Sequence, residues 1–433
     1  MFTMRRGPAA IAAVAAMSVS LVLAACSSSA SSQSSTSSGS ASTSSGSGAS
    51  AAPATGSTAS GTGSSTGSGA ATGTPIKVAA IVSETGPAPF GGWANGAEAY
   101  FKYINANGGV QGHPVQFTIV DDQGSPTNAT ELARKEVSDG IVAFVASLSL
   151  SDCAVNRQYY QQQNIVSIDI GSDPTCFDSP NTDPVNSGPM IDPLMQLLYA
   201  SSVLHDTKIC VMAYNVPGEA ADVQQAISIW EGLSHLKPTV TVQGYGLNTD
   251  PTPAVIKFVN AGCQAVSISA DIDTGPPFMK AVGTQNAVSK IQWMMGLATY
   301  SPQFAKAVGS SGNGLLMGLE FASFQDPASA PMLAQFAAAG IPDSMTEVTG
   351  WTAAYAFVHI ADTIKGPITK DSFTAAAKSS PSFSIPSMGT PFSFGSGSRH
   401  NPNQAAYWVR LNNGTFSDVS TSFLTLPLGT IPR

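Results

Sequence analysis

From residue 76 to residue 170 the chain repeats one pattern: a short apolar run, a turn-rich break, then a longer segment with helical spacing. The run 76–82 ends in Ser83-Glu84-Thr85-Gly86-Pro87, and 92–106 follows with Ala97, Tyr100, Phe101 and Ile104 on one helical face. Strands are expected again at 115–120, 141–146 and 165–170, with helices at 128–138 and 153–163 between them. Consecutive parallel strands need a crossover, so this order predicts a parallel sheet with helices on both faces. The rhythm then restarts. Helices are expected at 193–204, 219–233, 252–261 and 276–284, and strands at 208–214, 239–245, 265–270, 291–295 and 314–321. Helices at 328–339, 347–364 and 370–378 follow, then a late strand at 405–411 that ends in the turn Asn412-Asn413-Gly414. Two α/β halves with late segments that can cross back predict two lobes. A cleft is expected where the carboxyl ends of their strands face each other.

The amino-terminal part is of another kind. Arg5 and Arg6 precede an uncharged apolar stretch that ends in Leu23-Ala24-Ala25-Cys26, the layout of an export signal over residues 1–25. An aliphatic residue, two small residues and a cysteine resemble the bacterial lipobox, which implies diacylglyceryl attachment at Cys26. Residues 26–75 are then the lipidated cysteine and a Ser/Gly/Ala/Thr linker, without charge or aromatic residue between Ser27 and Thr74. Such a linker cannot bury enough apolar surface to order itself, and as a flexible coil it would span roughly 35–40 Å. Of the 5 cysteines, Cys26 is taken by the anchor. An even remainder in an exported chain favours disulfides. Three pairings are open; Cys153–Cys176 with Cys210–Cys263 keeps each bridge inside one expected lobe. Zinc is the weaker alternative, because no pair has C-x-x-C spacing and the 5 histidines are scattered. With a net charge of −8 and no Lys/Arg cluster, nucleic acid is not an expected partner.

The strings Ile76-Lys77-Val78-Ala79-Ala80-Ile81-Val82-Ser83-Glu84-Thr85-Gly86, Gly96-Ala97-Glu98-Ala99, Ile104-Asn105-Ala106-Asn107-Gly108-Gly109-Val110-Gln111-Gly112 and Asp121-Asp122 occur in this order. Together they resemble the branched-chain amino-acid binding protein family. The resemblance implies a type I periplasmic-binding fold, in which each lobe is a parallel sheet with helices on both faces and a three-strand hinge joins the two. Lobe 1 would hold 76–188 and 325–385, and lobe 2 would hold 189–324 and 386–433, with crossings near 187–191, 322–327 and 383–390. It also implies an extracytoplasmic solute receptor of an ABC importer, held to the membrane by lipid on Cys26. Such a receptor acts as a monomer, closes about its hinge on a small polar solute, and has an ABC permease as partner and no cofactor.

Carried over by position, the ligand loops would be Phe90 with Gly91, then Ser149-Leu150-Ser151, then Gly171-Ser172-Asp173 in the first lobe. In the second lobe they would be Tyr214 and Pro217, Asp271 and Asp273, and Ala298. Hydroxyls and backbone N–H groups at the helix start after Ser151 would suit a carboxylate. Two departures bear on the solute. The family's Glu near 298 is replaced by Leu297-Ala298-Thr299, and Asp173 stands where a hydroxyl is usual. Asp271 or Asp273 could replace the missing charge. An amino acid, a branched-chain one among them, and an amide- or urea-like solute all stay open.

Each of these residues also has a structural reading. Ser149 and Ser151 could be helix caps, Tyr214 could cover the core, and Asp271 and Asp273 could cap a loop. Asp121 and Asp122 read as strand-end structure, and Trp93 and Trp351 as packing residues. Two other functions share parts of this pattern. A sensory binding protein would keep the fold and pass the closed state to a signalling partner. An exported hydrolase would need a catalytic set, but residues 76–433 carry no G-x-S-x-G elbow and no H-E-x-x-H. The reading is a binding protein and not an enzyme.

Overall fold

The computed structural model describes residues 69–86, 89–215, 219–271, 273–401, 403–427 and 430–431. The export signal, Cys26, the linker through residue 68 and Pro217 lie outside the described residues. In the first lobe Ile76–Val82 (β1) has every side chain buried except Lys77. It pairs in parallel with Val115–Asp121 (β2) and Ala143–Val145 (β3), and β3 pairs with Ser167–Ile168 (β4), giving the order β2-β1-β3-β4. The intervening helices are Asn95–Ala106 (α1), Pro126–Ser138 (α2), Asp152–Gln162 (α3) and Pro174–Phe177 (α4). Ser125 starts α2 by accepting the Asn128 N–H, with Pro126 directly behind it in the first turn.

The glycine-rich string 104–112 is a scaffold device. The Gly109 N–H reaches back to the Ile104 carbonyl at 2.9 Å, and Gly108 and Gly109 have φ of 101° and 67°. This stops α1 with a left-handed turn. Asn105 then pairs with both backbone groups of Val115, donating at 2.8 Å and accepting at 2.7 Å, which anchors the first residue of β2. The Gln111 amide donates to the carbonyls of Ala361, Asp362 and Ile364, at the end of a helix more than two hundred residues away in sequence.

After residue 182 the chain passes to the second sheet. Its elements are Gly188–Leu198 (α5), Ile209–Tyr214 (β5), Glu219–Ser234 (α6), Val240–Tyr245 (β6), Thr252–Ala261 (α7), Ala265–Ser269 (β7), Gly275–Thr284 (α8), Gln292–Met295 (β8), Pro302–Val308 (α9) and Leu316–Leu319 (β9). The helix expected at 193–204 starts earlier, because Pro189 takes the helix-start position and Pro193 lies one turn inside. The chain then returns to the first sheet, where Ala330–Ala339 (α10), Met345–Asp362 (α11) and Lys370–Ser379 (α12) follow; α11 packs on α1, β3 and β4. A third passage leads to Ala405–Asn412 (β10), Thr415–Asp418 (β11) and Leu424–Thr425 (β12) in the second sheet.

That sheet, ordered β11-β10-β9-β8-β7-β5-β6, is not parallel throughout. The strands β5 to β9 are parallel, while β10 runs antiparallel to β9, β11 and β12. The expectation of a parallel sheet in each lobe is corrected here. The turn between β10 and β11 is only Asn413-Gly414, with φ of 51° and 75°, and two residues in that conformation can join only antiparallel strands. The passages are tied together: the Ala322 N–H donates to Ser387 O, and the Asn403 amide donates to Val185 O and Glu320 O.

Disulfides join Cys153 to Cys176 and Cys210 to Cys263, so the zinc alternative finds no free thiol among these four. Among the described residues no helix is long and apolar enough to cross a membrane. The crossing of α1 over α11 depends on two glycines. A Cβ on Gly96 would lie 1.8 Å from Glu347 O, and one on Gly350 would lie 2.1 Å from Trp93 O. Both contacts are to backbone, so neither can be relieved by a rotamer change. Gly96→Ala is expected to cost about 1–3 kcal/mol through overpacking, read as a lower urea midpoint at unchanged slope. An unchanged midpoint would show that the helices can separate freely.

Candidate functional site

The strands of both sheets end at a common cleft. A cavity of about 200 Å³ lies there, walled on the first-lobe side by Phe90, Trp93, Leu148, Ile170, Gly171 and Ser172. The opposite wall includes Asp192 from α5, Tyr214 at the end of β5, Glu219 at the start of α6, Asp271 after β7, Ala298 after β8 and Glu320 after β9. A wider opening of about 860 Å³ shares Phe90, Leu247, Asp271 and Thr274 with it and extends over Asp273 and Lys280. This is the crevice beyond the carboxyl ends of strands where α/β folds hold small ligands.

A sequence profile described as periplasmic binding protein matches residues 75–415. The chain belongs to that family. The Leu/Ile/Val-binding protein of Escherichia coli K12 is 35% identical over 95 residues, which cover 22% of this chain and 26% of that protein. The match therefore spans about a quarter of that relative's length. Solved structures agree in fold. The branched-chain amino acid transporter substrate binding protein from Streptococcus pneumoniae, in complex with isoleucine, superposes with a TM-score of 0.68 at 15% identity, covering 81% of this chain and 100% of that one. A fatty acid ABC transporter substrate-binding protein from Thermomonospora curvata gives a TM-score of 0.66 at 16% identity, covering 84% of this chain and 98% of that one.

In this periplasmic binding protein the expected ligand residues divide into groups. Phe90, Gly171, Ser172, Tyr214, Asp271 and Ala298 line the cavity, and Asp273 lines only the wider opening. Gly91 is exposed and lines neither space. Pro217 lies outside the described residues. Ser149, Leu150 and Ser151 do not face the cavity. The Ser149 hydroxyl donates to the fully buried Asp122 carboxylate, and it accepts the N–H groups of Ser151 and Asp152 at 3.1 and 3.0 Å. The Leu150 N–H is taken by the Ser83 hydroxyl, which itself donates to Asp122 at 2.7 Å. The Ser149 side chain and the three N–H groups of this loop are therefore taken up by local bonds, while the Ser151 hydroxyl is buried without a partner among the described residues. Asp173 likewise caps α4 by accepting the Thr175 N–H at 2.7 Å.

Asp271 combines two roles. Its Oδ1 accepts the N–H groups of Asp273 and Thr274 and the Thr274 hydroxyl, which shapes the start of α8. Sequence reasoning missed Asp192, Glu219 and Glu320, and it placed Trp93 in the packing, whereas Trp93 lines the cavity. The position of Glu219 directly after the loop that ends β5 was the one available signal. Nothing local marked Asp192 or Glu320 as cleft residues.

Burial raises the carboxyls of Asp192 and Glu219 to about 7 and that of Glu320 to about 8, where the Asp192 charge adds to the effect. A carboxyl raised in the folded state keeps a proton that the unfolded chain has already lost. Its contribution is thus complete below the unfolded value of 4.5 for glutamate and is lost as pH rises through about 8. The ligand-free protein is expected to lose stability from acid toward mildly alkaline pH. Glu320→Gln should flatten that slope, as seen in urea midpoints measured across this range. Equal slopes for the two proteins would mean that Glu320 titrates as it does in water.

Proposed function

We propose that this chain is the extracytoplasmic solute receptor of an ABC importer, a binding protein without chemistry of its own. The observation that carries this reading is a cavity walled from both sheets, beside three chain passages that can act as a hinge. In this reading residues 76–188 with 325–385 move as one body against 189–324 with 386–433. A small polar solute selects the closed state because it touches both bodies at once. The names of the relatives support transport, and the fold likeness supports closure about the cleft.

The protein acts as a monomer and hands the solute to a membrane permease. Lipid on Cys26 would hold it near that permease. With Cys153, Cys176, Cys210 and Cys263 paired, Cys26 is the cysteine of the 5 that no disulfide claims. Two acyl chains anchor stably where one does not, and the uncharged linker supplies the reach.

A library of amino acids, amides and amines is expected to contain a solute that raises the melting temperature of the mature protein. Ligand at about 100 times its Kd adds about 2.7 kcal/mol to the native state. Small-angle scattering should show contraction with the same solute. No stabiliser in such a library would remove the receptor reading. Cys26→Ala should be released from the membrane yet bind the same solute with unchanged affinity. A released variant that does not bind would mean that the anchor or the folded domain is misassigned.

A further inference from the structure

The cavity carries carboxyl groups on four separate elements: Asp192, Glu219, Asp271 and Glu320. Among the described residues no Lys, Arg or His lines it, and Lys280 reaches only the wider opening. Three of these carboxyls are short of partners. Glu219 is 6% exposed; one oxygen takes the Ser269 hydroxyl, and the other has no partner among the described residues. Asp192 accepts the Gln196 amide at 3.2 Å on one oxygen and has no partner on the other among the described residues. Glu320 is 4% exposed, and Ser187 is its only donor among the described residues, with the N–H at 2.7 Å. Space for Asp192 is built into the fold. A Cβ on Gly296 would lie 2.3 Å from the Asp192 carboxylate, so only glycine lets that carboxylate reach the end of β8.

Most of the groups that would hold an anion are already spent. The N–H groups of Leu150, Ser151 and Asp152 bond to serine hydroxyls. The Gly171 N–H bonds to the Asn186 side chain at 2.7 Å, and the Ser172 hydroxyl donates to Ser149 O. A solute carboxylate would meet carboxyls on the opposite wall; in these loops the Ser151 hydroxyl is left without a partner among the described residues, but Ser151 does not line the cavity. Ionising these carboxyls without a partner is unfavourable, so a solute that binds their ionised form has to supply the opposite sign. The rings of Phe90, Trp93 and Tyr214 add π faces suited to a cation with an apolar body.

We infer that the solute is a small organic cation, an amine, amidine or guanidine, whose charged nitrogen group is held by Asp192, Glu219 and Glu320 and which bears no carboxylate. The inference rests on the receptor reading above and narrows its solute class.

Cation binding needs the ionised carboxyls. The titratable groups facing one another here are Asp192 on α5, Glu219 on α6, Asp271 after β7, Glu320 after β9 and Tyr214 on β5; Asp222 on α6 adds to the raising of Glu219 but lines a separate pocket with Arg399. Burial raises Asp222 to about 7 as well. Binding near neutral pH therefore releases protons, and affinity falls as the solution is acidified.

Calorimetric titration of the full mature protein with isopentylamine, agmatine, leucine, 4-methylpentanoate and 4-methylpentanamide tests this. An amine should bind at least about tenfold more tightly than leucine or the amide, and the carboxylate should not bind. Amine affinity should drop by about tenfold or more between about pH 8.5 and about pH 6. Glu219→Gln and Glu320→Gln keep the side-chain shape and should each weaken amine binding by about tenfold or more while retaining a cooperative melt; Asp192→Asn gives the same reading if either fails to fold. Leucine or the carboxylate binding as tightly as the amine would overturn the assignment, as would amine binding that ignores pH or these substitutions. If the amide or leucine binds and no cation does, the cation assignment falls and the receptor reading stands. If no solute binds at all, both fall.

Discussion

Parallel strands cannot be joined by a tight turn, so every connection between them has to cross the sheet and come back to the starting edge. In this chain the constraint places the loops after β1, β3, β4, β5, β7, β8 and β9 around one crevice. Crossover helices cover both faces and leave the carboxyl edge as the place where polar side chains collect. The antiparallel exception, β10 with its Asn413-Gly414 turn, closes the far edge of the second sheet and leaves the cleft edge untouched.

Two arrangements of buried carboxyls bear on the cleft. Asp122 is fully buried but accepts from Ser83, Ser149 and the Gly124 N–H, and it holds the loops after β1 and β3 against the end of β2. Asp192, Glu219 and Glu320 are surrounded by few donors, and burial lifts all three toward neutral pH. The first arrangement is a finished structural joint. The second leaves polar capacity unused at a cavity wall, which is the usual mark of a ligand site. The same strand-end serines that could have bound a carboxylate are what complete Asp122. One carboxyl's satisfaction therefore removes the anion cradle from the cleft.

Much of the fold was legible because its signals are local. Periodicity placed α1, α7, α11 and α12 within a few residues, and the string from Ile104 to Gly112 marked a helix end and the tight turn that leads into the next strand. The site was legible only in part. Phe90, Gly171, Ser172, Tyr214, Asp271 and Ala298 stand at strand ends or in the loops that follow them, where position alone suggests a cleft. Ser149 stands in the same kind of place but turns inward, because its hydroxyl satisfies a carboxylate on another strand. No local pattern reports that preference. Asp192 and Glu320 reach the cavity from a helix and a strand end beside the chain passages, and their roles depend on how the two sheets face each other.

The sequence by itself determined the two α/β halves and the crossover order and favoured, among three open pairings, cysteine bridges within each half, since periodicity, turn chemistry and chain proximity are properties of neighbouring residues. The direction of β10, the spending of the Ser149 loop on Asp122 and the gathering of Asp192, Glu219 and Glu320 around one cavity were decided by tertiary structure. Each depends on groups far apart in the chain whose burial and hydrogen bonding exist only once the sheets have packed.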